Sequence, residues 1–113
     1  MVSKYIPKQG DLIFLDFNPI KGHEQNGIRP AIIISNNVFN KNTKMVIVCP
    51  ITSNNKEYPT HYLLEDTLKI QGSVLCEYIR SIDYEERKIT FVEKASDNDL
   101  LSVITLMNAC IEN

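Results

Sequence analysis

From Gly22 to Pro30 the chain reads Gly-His-Glu-Gln-Asn-Gly-Ile-Arg-Pro, which places an imidazole, a carboxylate, two amides and a guanidinium within seven positions. Near neutral pH the carboxylate of Glu24 is ionised, His23 titrates close by and Arg29 stays cationic, so the set can move a proton and hold an anion. The flanking glycines let the backbone turn sharply, which these side chains need in order to converge. Pro30 biases Arg29 towards an extended conformation and predicts that a strand is launched there. A second abrupt change, from apolar residues to hydroxyl and amide side chains, occurs at Ile51-Thr52-Ser53-Asn54-Asn55-Lys56. Both stretches are candidate functional loops carried by a sheet.

The elements that must position them can be read from periodicity. Leu12 to Phe17 is a short apolar run of strand length. Pro30 to Ser35 is apolar and β-branched on consecutive positions, as for a strand buried on both faces. Asn36 to Thr43 is polar and Asn-rich, predicting a loop or one helical turn. Met45 to Pro50 is a third strand, ended by its proline. His61 to Leu64 is a short strand, Gly72 to Asp83 one long bent strand or two consecutive ones, and Ile89 to Glu93 the last. Ser96-Asp97-Asn98-Asp99 has the form of a helix start, with Leu100, Val103, Ile104, Met107 and Ile111 following at helical spacing. Six or seven strands and one closing helix predict a mainly β fold, a small and strongly bent barrel.

Composition narrows the class. One domain over residues 1–113 is expected, because 43% hydrophobic residues can fill a single core. Twelve basic and fourteen acidic residues give a net charge of −2, which argues against binding nucleic acid by bulk charge alone. Cys49, Cys76 and Cys110 are odd in number and widely spaced, so they predict buried thiols in a reducing cytoplasm, with neither a disulfide framework nor a zinc site. No apolar run approaches the roughly 20 residues of a membrane span, so a soluble, cytoplasmic protein is expected.

The motifs then carry a resemblance. Gly10-Asp11-Leu12-Ile13, Asp16-Phe17-Asn18-Pro19, Gly22-His23-Glu24-Gln25, Gly27-Ile28-Arg29-Pro30, Pro50-Ile51-Thr52-Ser53 and Arg80-Ser81-Ile82-Asp83 resemble, in order and spacing from Met1 to about Asp83, the MazF/PemK family of bacterial toxins. The resemblance implies an SH3-like, or CcdB-like, barrel with a C-terminal helix. It also implies a sequence-selective endoribonuclease that cuts single-stranded mRNA without metal or cofactor, forms a homodimer and is silenced by a MazE-like antitoxin. Matched residue by residue, the family's catalytic arginine falls on Arg29, its threonine on Thr52 and its loop glutamate on Glu24. In some members a loop histidine acts with an aspartate and an arginine of a later strand. His23 matches that histidine, Glu77 stands at the aspartate and Leu75 replaces the arginine. Tyr78 stands where glutamine is common, and a tyrosine stacks on a base where glutamine would hydrogen-bond one.

Cleavage without a metal uses the ribose 2′-hydroxyl as nucleophile, which requires a base, a stabiliser of phosphorane charge and an acid for the leaving 5′-oxygen. Holding an arginine neutral near pH 7 costs about 7 kcal/mol, so Arg29 is better suited to charge stabilisation, with Thr52 adding a hydrogen bond. Glu24 and His23 make a base and acid pair, while Arg29 as proton donor to the leaving group is an alternative. Gln25, Asn36, Lys41, Ser53, Lys56 and Tyr78 are candidate RNA contacts, and Lys44 is a further candidate phosphate contact. Structural readings stand beside these: Arg29 can pair with Glu24 or Glu77, and Thr52 can simply cap a turn. A barrel toxin that binds and poisons a protein such as DNA gyrase, and a non-catalytic RNA-binding barrel, are the competing functions. The first has no need of Glu24, Arg29 and Thr52, and the second calls for a basic patch that this composition lacks.

Overall fold

Most of the expected strands form where consecutive apolar positions demand them. In the computed structural model, which describes residues 5–17, 27–54 and 57–112, the strands are β1 (Asp11–Asp16), β2 (Ile28–Ile33), β3 (Met45–Thr52), β4 (His61–Leu63), β5 (Ser73–Leu75), β6 (Arg80–Asp83) and β7 (Ile89–Lys94). Two helices join them, α1 (Asn37–Thr43) and α2 (Asp97–Ala109). The strands pair antiparallel in the order β4-β5-β3-β2-β1-β7, with β6 also on β3. The architecture is mainly β with a C-terminal helix, as expected; among the described residues β4 and β7 do not pair with each other, so the sheet is unclosed. None of the described helices is long and apolar enough to cross a membrane.

β3 is the hub. One edge takes β2 at Val48 to Pro50; the other takes β6 at Met45 to Val48 and β5 at Ile51 and Thr52. The strand thus runs past Pro50, where it was expected to end. On the second edge neither β5 nor β6 places a residue opposite Pro50, so a missing N–H there leaves no ladder partner unsatisfied. β5 and β6 follow that edge in one direction, but Val74 faces Ile51 while Arg80 faces Val48. Six steps on one strand lie against three on the other. The surplus bulges out as the segment carrying Glu77 and Tyr78, closed by a Tyr78 N–H to Leu75 carbonyl bond of 3.0 Å. The stretch expected as one bent strand or two is therefore two strands separated by this excursion.

Side chains alternate across the sheet and fill two cores. Leu12, Ile32, Cys49, Ile51 and Val74 lie on one face beneath α2, which contributes Val103. Ile13, Leu15, Ala31, Ile33, Val46, Val48 and Ile82 lie on the other. Ser96 caps α2 by accepting the Asp99 N–H at 3.0 Å, as the start motif predicts. The buried Asp99 carboxylate accepts the Tyr62 hydroxyl at 2.6 Å and the Glu65 N–H at 3.1 Å, fastening the helix to β4 and the segment after it. Leu100, Val103, Ile104 and Met107 pack as expected. Ile111 does not: it lies beyond the helix end and is 68% exposed, with Leu106 packing instead. Cys110 is likewise exposed at the helix C-cap, past the packed part of α2, which corrects the expectation of three buried thiols. Cys49 and Cys76 are buried, and burial pushes both thiols up to about 12.

Candidate active-site groove

The site lies where the second core runs out. Along β2 the face that buries Ala31 and Ile33 continues, two residues earlier, to Arg29; along β3 the face that buries Val46 and Val48 continues to Pro50 and Thr52. The β2–β3 ladder ends at the pair Ala31 and Pro50, and just beyond it Arg29 and Thr52 line the same depression. Residues far apart in sequence are thereby brought to one spot by strand pairing alone. β6 adds Arg80 on the face of its buried neighbour Ile82, with the guanidinium 5.4 Å from the centre of the Phe17 ring. Arg29, Thr52, Arg80, Phe17, Leu75 and Tyr78 surround a depression of about 280 Å³.

Arg29 is exposed, and among the described residues it makes no ion pair. A structural pairing with Glu77 is not realised, since Glu77 is engaged elsewhere. The half-buried Thr52 does cap a turn, its Oγ1 accepting the Asn54 N–H at 3.2 Å. That bond uses an acceptor lone pair and leaves the hydroxyl hydrogen able to donate into the groove.

A second depression of about 610 Å³ adjoins the first, with Thr52, Leu75 and Tyr78 in common. It contains Glu77, whose Oε1 accepts the Thr60 hydroxyl at 2.7 Å and whose Oε2 lies 3.2 Å from His61 Nε2. Burial alone would push the Glu77 carboxyl up, but hydrogen bonds from Thr60, its own backbone and His61 together outweigh it and hold the group below the usual carboxylate range. The Tyr58 ring packs against His61 with centroids 5.1 Å apart, and Tyr58 and Tyr78 are each 59% exposed.

Of the residues expected from sequence, Arg29, Thr52, Glu77 and Tyr78 share the groove. His23, Glu24, Gln25 and Lys56 lie outside the described residues. Ser53, next to Thr52 and so on the opposite face, lines a different depression with Leu63 and Gln71. Asn36 is the N-cap of α1, accepting the Phe39 N–H at 2.8 Å, and Lys41 and Lys44 belong to the last turn and C-cap of that helix, so none of the three lines the groove. Thr60, His61, Arg80 and Phe17 were not anticipated there. Arg80 carried a readable signal, a charge two residues from Ile82 on a buried stripe; His61 and Thr60 had none, because only the pairing of β4 with β5 carries them to Glu77.

Residues 8–109 match the family described as PemK-like, MazF-like toxin of type II toxin-antitoxin system. The endoribonuclease toxin MazF of Escherichia coli K12 is 35% identical over 111 residues, covering 98% of this chain and 99% of that protein. The crystal structure of MazF from Deinococcus radiodurans has a TM-score of 0.85 and 34% identity, covering 96% of this chain and 98% of that one. A MazE-MazF crystal structure from the same organism has a TM-score of 0.83 and 30% identity, over 96% and 97% of the two chains.

Proposed function

Since this chain belongs to the PemK-like, MazF-like toxin family of type II toxin–antitoxin systems, we propose that the groove is its phosphodiester-cleaving site, with Arg29 and Thr52 holding the reacting phosphate. The protein is an endoribonuclease toxin. Its substrate in this reading is single-stranded mRNA in the cytoplasm, cut without a metal by attack of the 2′-hydroxyl to leave a 2′,3′-cyclic phosphate and a 5′-hydroxyl. A second copy of the chain and a MazE-like antitoxin are its protein partners.

The observation that carries this reading is that Arg29, Thr52 and Arg80 line one depression at the mouth of an apolar core. The planar guanidinium of Arg29 spreads two donors over the non-bridging oxygens as charge builds on phosphorus, and the Thr52 hydroxyl adds a third donor. Apolar walls from Phe17, Pro50 and Leu75 lower the local dielectric, which strengthens each of these contacts. The base is assigned to Glu24 and the acid to His23. Glu77 is the poorer base, because the hydrogen bonds that favour its ionised form also reduce its appetite for a proton.

The test is a long single-stranded RNA incubated with the purified protein in chelator, beside an all-2′-deoxy counterpart and an Arg29→Ala variant. RNA is cut, the deoxy strand is spared, and Arg29→Ala lowers kcat/KM by at least about 100-fold, which is about 2.7 kcal/mol of transition-state stabilisation. Intact RNA would favour a toxin that binds a protein target instead. A loss under about tenfold would remove Arg29 from the centre of the site.

A further inference from the structure

We propose that Glu77, held in place by Thr60 and His61, reads a single guanine of the RNA through that base's N1–H and N2–H donors; the inference rests on the ribonuclease reading above. Three features of the larger depression carry it. First, both Glu77 oxygens are anchored from one side, Oε1 by the Thr60 hydroxyl at 2.7 Å and Oε2 by His61 Nε2 at 3.2 Å. An ionised carboxylate only accepts, so Nε2 carries the imidazole hydrogen in that bond. The side chain remains 30% exposed, so the carboxylate edge is open to the depression. Second, His61 is itself fixed, on β4 opposite Leu75 and against the Tyr58 ring. Third, Tyr58 and Tyr78 present exposed aromatic faces in the same depression, which suits an unstacked base lying flat on one of them.

Two adjacent acceptors select among bases by elimination. Uracil offers one N–H between two carbonyl oxygens. Adenine and cytosine offer one amino donor beside a ring nitrogen that is itself an acceptor, which would face the second carboxylate oxygen lone pair to lone pair. Guanine alone presents two neighbouring donors on its Watson–Crick edge. His61 and Thr60 act as positioning residues, because they set the carboxylate without touching the base.

The decisive measurement maps cut sites on a randomised single-stranded RNA with the full-length protein. Guanine should be enriched at least about tenfold at one fixed offset from the cut. A defined substrate with inosine at that position, which lacks only the N2 amino group, should be cut at least about fivefold more slowly. Glu77→Gln exchanges one acceptor for a donor, and should move the preference from guanine towards adenine or cytosine among the cuts that remain. His61→Ala and Thr60→Val should flatten the preference, a readout that a purely structural role would not move. Cleavage with no fixed guanine, or with inosine tolerated, overturns this inference and leaves the ribonuclease reading standing. So does a Glu77→Gln variant with an unchanged cut-site profile but weaker inhibition by the antitoxin, which would give the groove to that protein. If RNA stays intact the ribonuclease reading falls, and equal binding of labelled guanosine-containing and inosine-containing oligonucleotides then overturns this one as well.

Discussion

Thr52 serves two directions with one oxygen. Its hydroxyl accepts the Asn54 N–H, fixing the chain as it leaves β3, and keeps its hydrogen for the groove. Serine retains both functions, so Thr52→Ser should keep kcat within about threefold. Valine keeps the shape and removes both, so Thr52→Val should lower kcat at least about tenfold, about 1.4 kcal/mol, with a small change in KM, and cost about 1 kcal/mol in a denaturant melt for the lost turn bond. At this scale the sequence was informative where chemistry and strand register coincide. Arg29 and Thr52 were legible as polar interruptions at the ends of apolar runs. The partners of Glu77 were not, because Thr60 and His61 reach it through a ladder between segments more than ten residues apart. Asn36 misled for a local reason: an exposed Asn before a helix satisfies a backbone N–H as readily as it would a base.

Among the elements, the contact of β3 with the start of β5 holds the groove in register. Gly72 has φ of +131°, a region side chains rarely enter, and a Cβ there would lie 2.2 Å from the Thr52 carbonyl oxygen. Close backbone approach at this point is what lets Ser73 pair with Thr52. Gly72→Ala should therefore destabilise the protein by about 1–3 kcal/mol in a chemical melt. It should also lower kcat/KM of the folded fraction, because β3 must shift where Thr52 sits. Unchanged activity with lowered stability would detach Gly72 from the site. The glycine and the apolar runs around it were visible in sequence as a strand start. The six-against-three bulge that follows was not, since apolar periodicity is silent on how many residues a partner strand leaves unpaired. That bulge is why Glu77 and Tyr78 project into the groove when they would otherwise continue a flat ladder.

For the whole molecule, a net charge of −2 means that local geometry, not bulk field, must bind a polyanion. The carboxylate at the heart of the groove also ties folding to pH. The folded environment holds the Glu77 carboxyl below its ordinary value of 4.5, so its ionised form favours the native state. That contribution is complete above about pH 4.5 and is lost as pH falls through the lowered folded value. Thermal melts from pH 6 down to pH 3 should show wild type losing its advantage over Glu77→Gln at the acid end, by a modest amount because the side chain is partly in water. An advantage that grew on acidification would contradict the assigned hydrogen bonds.

β3 also governs when the site can exist. Its two edges are completed by β2, which precedes it, and by β5 and β6, which follow it by some twenty to forty positions. Arg29 and Thr52 both precede Ser73 and Arg80 in the chain, yet the far wall of the groove comes from those later strands. Non-local pairings of this kind close late, since loop entropy must be met before their contacts form. A chain whose sheet is incomplete therefore carries Arg29 and Thr52 without the wall that faces them, and gains the groove only when β5 and β6 have paired with β3.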